Sequence, residues 1–417
     1  MSFFSFLKSR PVFWLSVAGT TVGGACFVKD LMQGTNFTKE TDESNKVVIV
    51  TGSNTGIGKE TVRELARRGA TVYMACRDMK KCEEAREEIV LETKNKYVYC
   101  RQCDLASMDS IRNFVSTKYM QGGQFTKQTN ETGKVVIVTG ANTGIGKETV
   151  LELARRGATV YMACRDETKT EKARLEIIEE TNNKNIFFRE LDLASLQSVR
   201  KFAAEFKKEQ DKLHILINNA GVMRCPYMVT RDGFEMQLGV NHLGHFLLTN
   251  LLLDLLKKSA PSRIINVSSL AHTRGFIDFS DLNSEKDYDP GAAYSQSKLA
   301  NVLFTRELAK RLEGTGVTVN ALHPGVVDTE LGRHMKILNG TFGRIVLRTL
   351  LWPLLKTPKS GAQTTLYAAL DPDLEKVSGV YFSDCKEKKV APAAMDNQTA
   401  KQLWEESVRV TYTRKLD

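Results

Sequence analysis

Residues 134–166 read KVVIVTGANTGIGKETVLELARRGATVYMACRD, and this stretch decides the fold. Its opening, Val135-Val-Ile-Val138, is apolar without alternation, the pattern of a parallel strand buried on both faces. A glycine-rich turn then leads into a helix from about Gly146 to Arg156, closed by Gly157. A second strand is expected at 159–163, a charged helix at about 168–180 and a third strand at about 185–191. Strands alternating with helices imply a parallel sheet. Working outward, further strands are expected at 213–217, 263–267, 317–322 and 379–382. Residues 134–417, 284 positions, therefore carry a complete α/β domain, a doubly wound parallel sheet of seven strands.

The same stretch occurs a second time, upstream. Residues 46–78 match 134–166 at an offset of 88, with 31 of 33 positions identical and differences only at Ser53/Ala141 and Arg63/Leu151. The likeness begins near Phe37 and Phe125 and fades near Phe114 and Phe202. Two copies of this length are a single duplication, not a repeat array. The chain divides into three: an N-terminal segment over 1–36, a duplicated βαβαβ half-unit over 37–124, and a complete Rossmann-type domain over 125–417.

The segment at 11–28, PVFWLSVAGTTVGGACFV, has 18 residues without a charge, flanked by Lys8, Arg10, Lys29 and Asp30. That is near the lower limit for a membrane-spanning helix, so an uncleaved hydrophobic anchor is expected. A cleaved targeting segment or a buried helix are the other readings. The rest of the composition narrows the classes. With 42% hydrophobic and 26% charged residues, the 417-residue chain can bury a large core and is not disordered. Its 59 basic and 49 acidic residues leave +10, with no long Lys/Arg run, which argues against nucleic-acid binding. Eight scattered Cys argue against a disulfide framework.

The chemistry lies where strands end. Thr139-Gly140-Ala-Asn142-Thr143-Gly144-Ile145-Gly146 joins a buried strand to a helix, and glycines there let backbone N–H groups approach a phosphate. Arg165 stands 19 residues beyond Gly146, where an NAD site would place an acid; an arginine suits a 2′-phosphate, so NADP(H) is expected. Tyr294 and Lys298 are four apart on one helix face, and a nearby ammonium would lower the phenol pKa toward neutrality for acid–base work at an alcohol or carbonyl. Ser269 ends the strand at 263–267, and Asn218-Asn219-Ala220-Gly221 ends the one at 213–217. Asn241 is expected to open the helix that follows.

These motifs, in this order, resemble the short-chain dehydrogenase/reductase family. CRD (164–166), NNAGVM (218–223), NHLGHFLLTN (241–250), VSSLAH (267–272) and HPGVV (323–327) are similar to its retinol dehydrogenase 11–14 group. The resemblance implies an NADP-dependent oxidoreductase of a lipophilic alcohol and its carbonyl, retinol and retinal foremost. It casts Tyr294 as acid/base, Ser269 as polarising the substrate oxygen, and Lys298 as acting on Tyr294 and the nicotinamide ribose. Asn241 would support a water in a proton relay. Asp192 with Leu193 would face the adenine, while Asn219, Ala220, Gly221, Pro324 and Gly325 would line the cofactor. It also implies membrane association, in the mitochondrial inner membrane or endoplasmic reticulum. Other substrates of this reaction type, and a non-catalytic NADP-binding scaffold, are the alternatives.

An apolar stretch at 331–356 with Arg344 and Arg348 reads as an amphipathic lid or membrane-contacting element. Cys100-x-x-Cys103 looks like half a metal site, but Phe188 and Leu191 occupy the matching positions, so both cysteines are expected to be packed hydrophobes. His242 and His245 are expected to pack as well. The half copy keeps Gly52, Gly56, Gly58, Arg77 and Asp104 but has no counterpart of Ser269, Tyr294 or Lys298, so it cannot carry the chemistry. A docked extra half, a half that exchanges with its twin, and a recent duplication or joining of tandem genes all account for it; the last is preferred.

Overall fold

The computed structural model describes residues 41–44, 46–108, 110–111, 114, 123–327 and 356–412. The expected anchor at 11–28 and all of the apolar stretch at 331–356 but Lys356 lie outside the described residues. Among the described residues no helix is long and apolar enough to cross a membrane. The chain forms two compact units, Met1–Phe114 and Val115–Asp417. Phe125 sits in the core of the second unit, and Lys127 pairs with Asp371 and Asp373 at 2.6 Å each.

The first unit is a three-stranded parallel sheet in the order β1-β2-β3. Its elements are β1 (Val47–Thr51), α1 (Gly56–Arg67), β2 (Thr71–Cys76), α2 (Met79–Thr93) and β3 (Val98–Gln102). Its core, centred on Val62, Val72, Met74, Ile89 and Val98, also takes in Cys76, Cys82 and Cys100. Cys100 and Cys103 are both buried, as small hydrophobes are.

The second unit holds β4 (Val135–Thr139), α3 (Gly144–Arg155), β5 (Thr159–Cys164), α4 (Glu167–Thr181), β6 (Ile186–Glu190), α5 (Leu196–Glu209) and β7 (Ile215–Asn218). It continues with α6 (Gly244–Lys258), β8 (Ser262–Val267), α7 (Pro290–Arg311), β9 (Val317–His323), α8 (Pro358–Leu370), β10 (Tyr381–Ser383), β11 (Lys386–Glu387) and α9 (Asn397–Tyr412). The sheet order is β11-β10-β9-β8-β7-β4-β5-β6. All seven expected strands are present and parallel; β11 is an unexpected two-residue antiparallel addition. The unbroken apolar run in β4 is explained by its two faces. Val135 and Ile137 enter a core shared with α5, α6, α7 and α9, while Val136 and Val138 enter one shared with α3, α4 and α8. Order reverses between β4 and β7, and such a switch point opens a crevice beyond the strand ends.

The two copies of VVIVT have different fates. Ile137 is fully buried, whereas Ile49, at the matching position of β1, is 59% exposed. Burying an isoleucine stabilises by about 1.5–3 kcal/mol, so β1 forgoes most of what β4 gains. The two substituted positions separate the copies further. Leu151 is buried in the second unit's core, whereas Arg63 makes ion pairs with Glu60, Glu88 and Glu92. The second copy keeps glutamates at all three matching positions, Glu148, Glu176 and Glu180, and two of them pair with Lys147 and Arg155 instead. Since the second unit holds the whole sheet and every expected catalytic residue, deleting residues 37–114 should leave kcat/KM within about twofold of the full chain. Steady-state kinetics of the deletion protein check this.

Candidate active site

Local sequence shapes the phosphate loop first. Gly140 and Gly144 take φ of +64° and +55°, where a side chain would be strained. A Cβ on Gly146 would lie 2.2 Å from the Gly140 carbonyl oxygen and 2.7 Å from Asn219 Nδ2. Thr143 caps α3 in extended conformation without a side-chain hydrogen bond, so the first N–H groups of the helix remain available to an anion. Asn219 Nδ2 donates to the carbonyls of Thr139 (2.8 Å) and Gly140 (3.2 Å), and Thr139 Oγ1 accepts from the Asn219 and Ala220 N–H groups at 2.9 Å each. Asn219 thus closes the loop through its side chain.

A cleft of about 290 Å³ runs along this edge. It is lined by Gly140, Asn142, Thr143, Gly144, Ile145 and Gly146, then by Arg165, Asp192, Leu193, Asn219, Ala220 and Gly221, all expected from sequence. Sequence reasoning missed Cys164, Asp166, Lys169, Val222, Met236 and Val240, among others. Lys169 could have been found from helical spacing, since Asp166 caps α4 by accepting the Lys169 N–H at 3.0 Å and so turns the side chains of that first turn together. Arg165 is exposed and makes no ion pair among the described residues. The Cys164 thiol, instead of an acid, ends β5 and accepts the Ala141 N–H at 3.1 Å. The loop, the free helix N-terminus and the unpaired Arg165 fit a dinucleotide with an anionic group on its adenosine side.

Ser269, Tyr294 and Lys298 come together next to this cleft, although they do not line it. A Cβ on Gly221 would stand 3.6 Å from Lys298 Nζ and 3.2 Å from Asn241 Oδ1, which places both at the inner end of the cleft. Helix α7 starts with Pro290, is capped by Asp289 accepting the Ala292 N–H at 2.6 Å, and buries Tyr294 and Lys298 one turn apart. Lys298 Nζ donates to the Val267 carbonyl at 3.0 Å and lies 5.7 Å from the Tyr294 ring centre. Ser269 Oγ accepts the Ala271 N–H at 3.2 Å, leaving its own proton for another oxygen.

The Tyr294 phenol and the Lys298 ammonium are both shifted by burial. Burial pushes the Tyr294 phenol up, and the Ser269 hydroxyl and Arg224 charge pull it back only in part. Burial lowers the pKa of Lys298 to about 8.

Asn241 also departs from expectation. The helix starts earlier, at Met236, where Glu235 caps it, and Asn241 lies within a π-helical turn, Gly239–Leu243, between Met236–Leu238 and α6. Its Oδ1 accepts the Val222 N–H at 2.8 Å, while Nδ2 donates to the Val222 carbonyl (3.0 Å) and Ser297 Oγ (2.9 Å). The side chain ties the NNAG loop to the catalytic helix. His245 Nδ1 lies 3.1 Å from the Asn241 carbonyl, and its Nε2 lies 2.8 Å from Thr139 Oγ1. His242 and His245 are both buried, as packing residues are. Pro324 and Gly325 follow β9 on the same sheet edge; Gly325 (φ +97°) is crowded by the Lys356 stem, and neither lines the described cleft. Asn266, the asparagine of one glycosylation sequon, is buried in β8 and bonds Asn218 and Thr305.

A family model described as short chain dehydrogenase matches the chain twice, over residues 46–124 and 134–337. Human retinol dehydrogenase 13 is 58% identical over 293 residues, covering 70% of this chain and 88% of the relative. Human retinol dehydrogenase 12 is 58% identical over 287 residues, covering 69% and 89%. Among solved structures, an uncharacterised protein from Mycobacterium paratuberculosis is 38% identical with a TM-score of 0.56, covering 70% of this chain and 98% of that one.

Proposed function

Because the chain belongs to the short-chain dehydrogenase family and is an oxidoreductase, we propose that it interconverts a lipophilic alcohol and its carbonyl with NADP(H), with retinol and retinal as the substrate pair. The observation that carries this reading is the meeting of Ser269, Tyr294 and Lys298 at the inner end of a glycine-lined cleft whose outer wall carries Arg165. A nicotinamide cofactor bound there supplies hydride to a carbonyl carbon or takes it from an alcohol carbon. The phosphate loop and the first turn of α3 would hold its pyrophosphate, Arg165 would pair with a 2′-phosphate, and Lys298 would hold the nicotinamide ribose.

In the reductive direction Tyr294 donates its phenol proton to the substrate oxygen. Ser269 donates a hydrogen bond to the same oxygen through its O–H, while its Oγ accepts the Ala271 N–H. Lys298 must be charged to favour the resulting phenolate, which at its lowered pKa confines this help to pH below about 8. Asn241 keeps the NNAG loop and α7 in register.

The lipophilic substrate is supported by the names of the relatives. Leu270, Phe276 and Val326, on the segments that follow β8 and β9, are 60%, 73% and 61% exposed. Membrane association through residues 11–28 is part of the proposal, and carbonate extraction of the full chain from membranes tests it.

Purified protein assayed on all-trans-retinal with NADPH and NADH tests the function; absence of turnover with either overturns it. Replacing Arg165 by Glu should remove an attractive charge and add a repelling one. The expected result is a fall of about 10²-fold or more in the NADPH/NADH ratio of kcat/KM, with kcat for NADH retained.

A further inference from the structure

On the reading of Ser269 just given, we propose that His272 is a positioning residue that fixes Ser269 at the reacting oxygen. Ser269 opens a 3₁₀ turn, Leu270–Arg274, and His272 is its i+3 partner, which such a turn places on the same side. His272 Nδ1 lies 2.7 Å from the Ser269 carbonyl oxygen, and the His272 backbone N–H reaches the same oxygen at 3.1 Å. A carbonyl only accepts, so Nδ1 carries the proton, which leaves Nε2 to accept the Ala391 N–H at 3.4 Å. The ring is 1% exposed and packs 4.7 Å from the Tyr381 ring.

One residue therefore supplies two donors to the carbonyl of Ser269, and the far side of its ring is bolted to the segment before Pro392. Rotation of the Ser269 peptide would break both bonds in a buried site. The hydroxyl is thereby kept at the mouth, where the Ala271 N–H holds its lone pair. A misplacement of about 1 Å in such a group can cost about 10²-fold in rate.

A double-mutant cycle tests this with the full-length protein on retinal and NADPH. His272→Leu should lower kcat about 10- to 100-fold, while retinal KM and the NADPH Kd stay within about twofold. His272→Asn, whose Nδ2 can stand in place of Nδ1, should recover kcat to within about fivefold of the parent. In a Ser269→Ala background, His272→Leu should cost no more than about threefold further, since its effect runs through Ser269. Should the leucine variant not fold, His272→Gln, with its donor one bond further out, must show the same loss. Parental kcat in His272→Leu, or full additivity with Ser269→Ala, would overturn the proposal. Parental kcat in Ser269→Ala alone would instead overturn the role given to Ser269, and this proposal with it.

Discussion

Tyr294→Phe protein should bind NADPH with a Kd within twofold of the parent and turn retinal over about 10³-fold more slowly. The substitution removes one oxygen from a side chain that is almost wholly buried, so the ring still packs as before. What is lost is the only phenol proton at the inner end of the cleft among the expected catalytic residues, together with the hydrogen bond it makes to the substrate oxygen. Positioned acid–base groups contribute about 10²–10⁴-fold, and Ser269 alone retains part of the polarisation. Stopped-flow NADPH binding and steady-state retinal reduction, measured side by side, separate the two quantities. A variant that reduces retinal at the parental rate would remove Tyr294 from the mechanism.

Lys298→Met should cost a similar factor, about 10³-fold in kcat/KM, with no loss of thermal stability. The ammonium is buried and donates a hydrogen bond to the Val267 carbonyl at 3.0 Å. Burial has lowered its pKa to about 8, which means the folded protein disfavours the charge. An apolar side chain of similar length removes that cost, so Tm should stay level or rise. The same shift sets a pH dependence. As pH rises through about 8, Lys298 gives up its proton and can no longer favour the phenolate, so kcat/KM for carbonyl reduction should fall across that pH. The alkaline limb should vanish in Lys298→Met because the titrating group is gone. A pH–rate profile of both proteins decides the matter.

Much of the site was legible because it is made of short motifs at strand ends. The order Gly140–Gly146, Asn219, Ser269, Tyr294 and Lys298 follows the order in which strands β4, β7 and β8 and helix α7 deliver residues to one edge. The missing parts depend on relations no local spacing encodes. Asn241 sits in a π turn because the helix starts at Met236 under the Glu235 cap, and nothing in the NHLGHF motif shows that start. The fall in the Lys298 pKa and the rise in that of Tyr294 come from how deeply α7 buries each. The Ser269–His272 bond requires a 3₁₀ turn, in which a spacing of three residues brings a ring onto the first carbonyl.

The duplicated segment divides what sequence decides from what tertiary structure decides. Gly52 and Gly140 take φ of +60° and +64°, and Gly56 and Gly144 both take +55°, because the same short sequence has the same steric options in either place. Asn95 bonds the Ala66 and Ala70 carbonyls just as Asn183 bonds those of Ala154 and Ala158. Strand, loop, helix and local hydrogen bonds were settled by the sequence alone. Burial was not. The VVIVT of β4 has β7 on its open edge and helices on both faces, so Ile137 is sealed; that of β1 has only β2 beside it in its sheet, and Ile49 stays exposed. Identical residues become a strand in both copies, but only the one whose later neighbours β7, β8 and α7 close over its edge becomes part of a catalytic site, because hydrophobic burial and the meeting of Ser269, Tyr294 and Lys298 require chain that the first copy does not have.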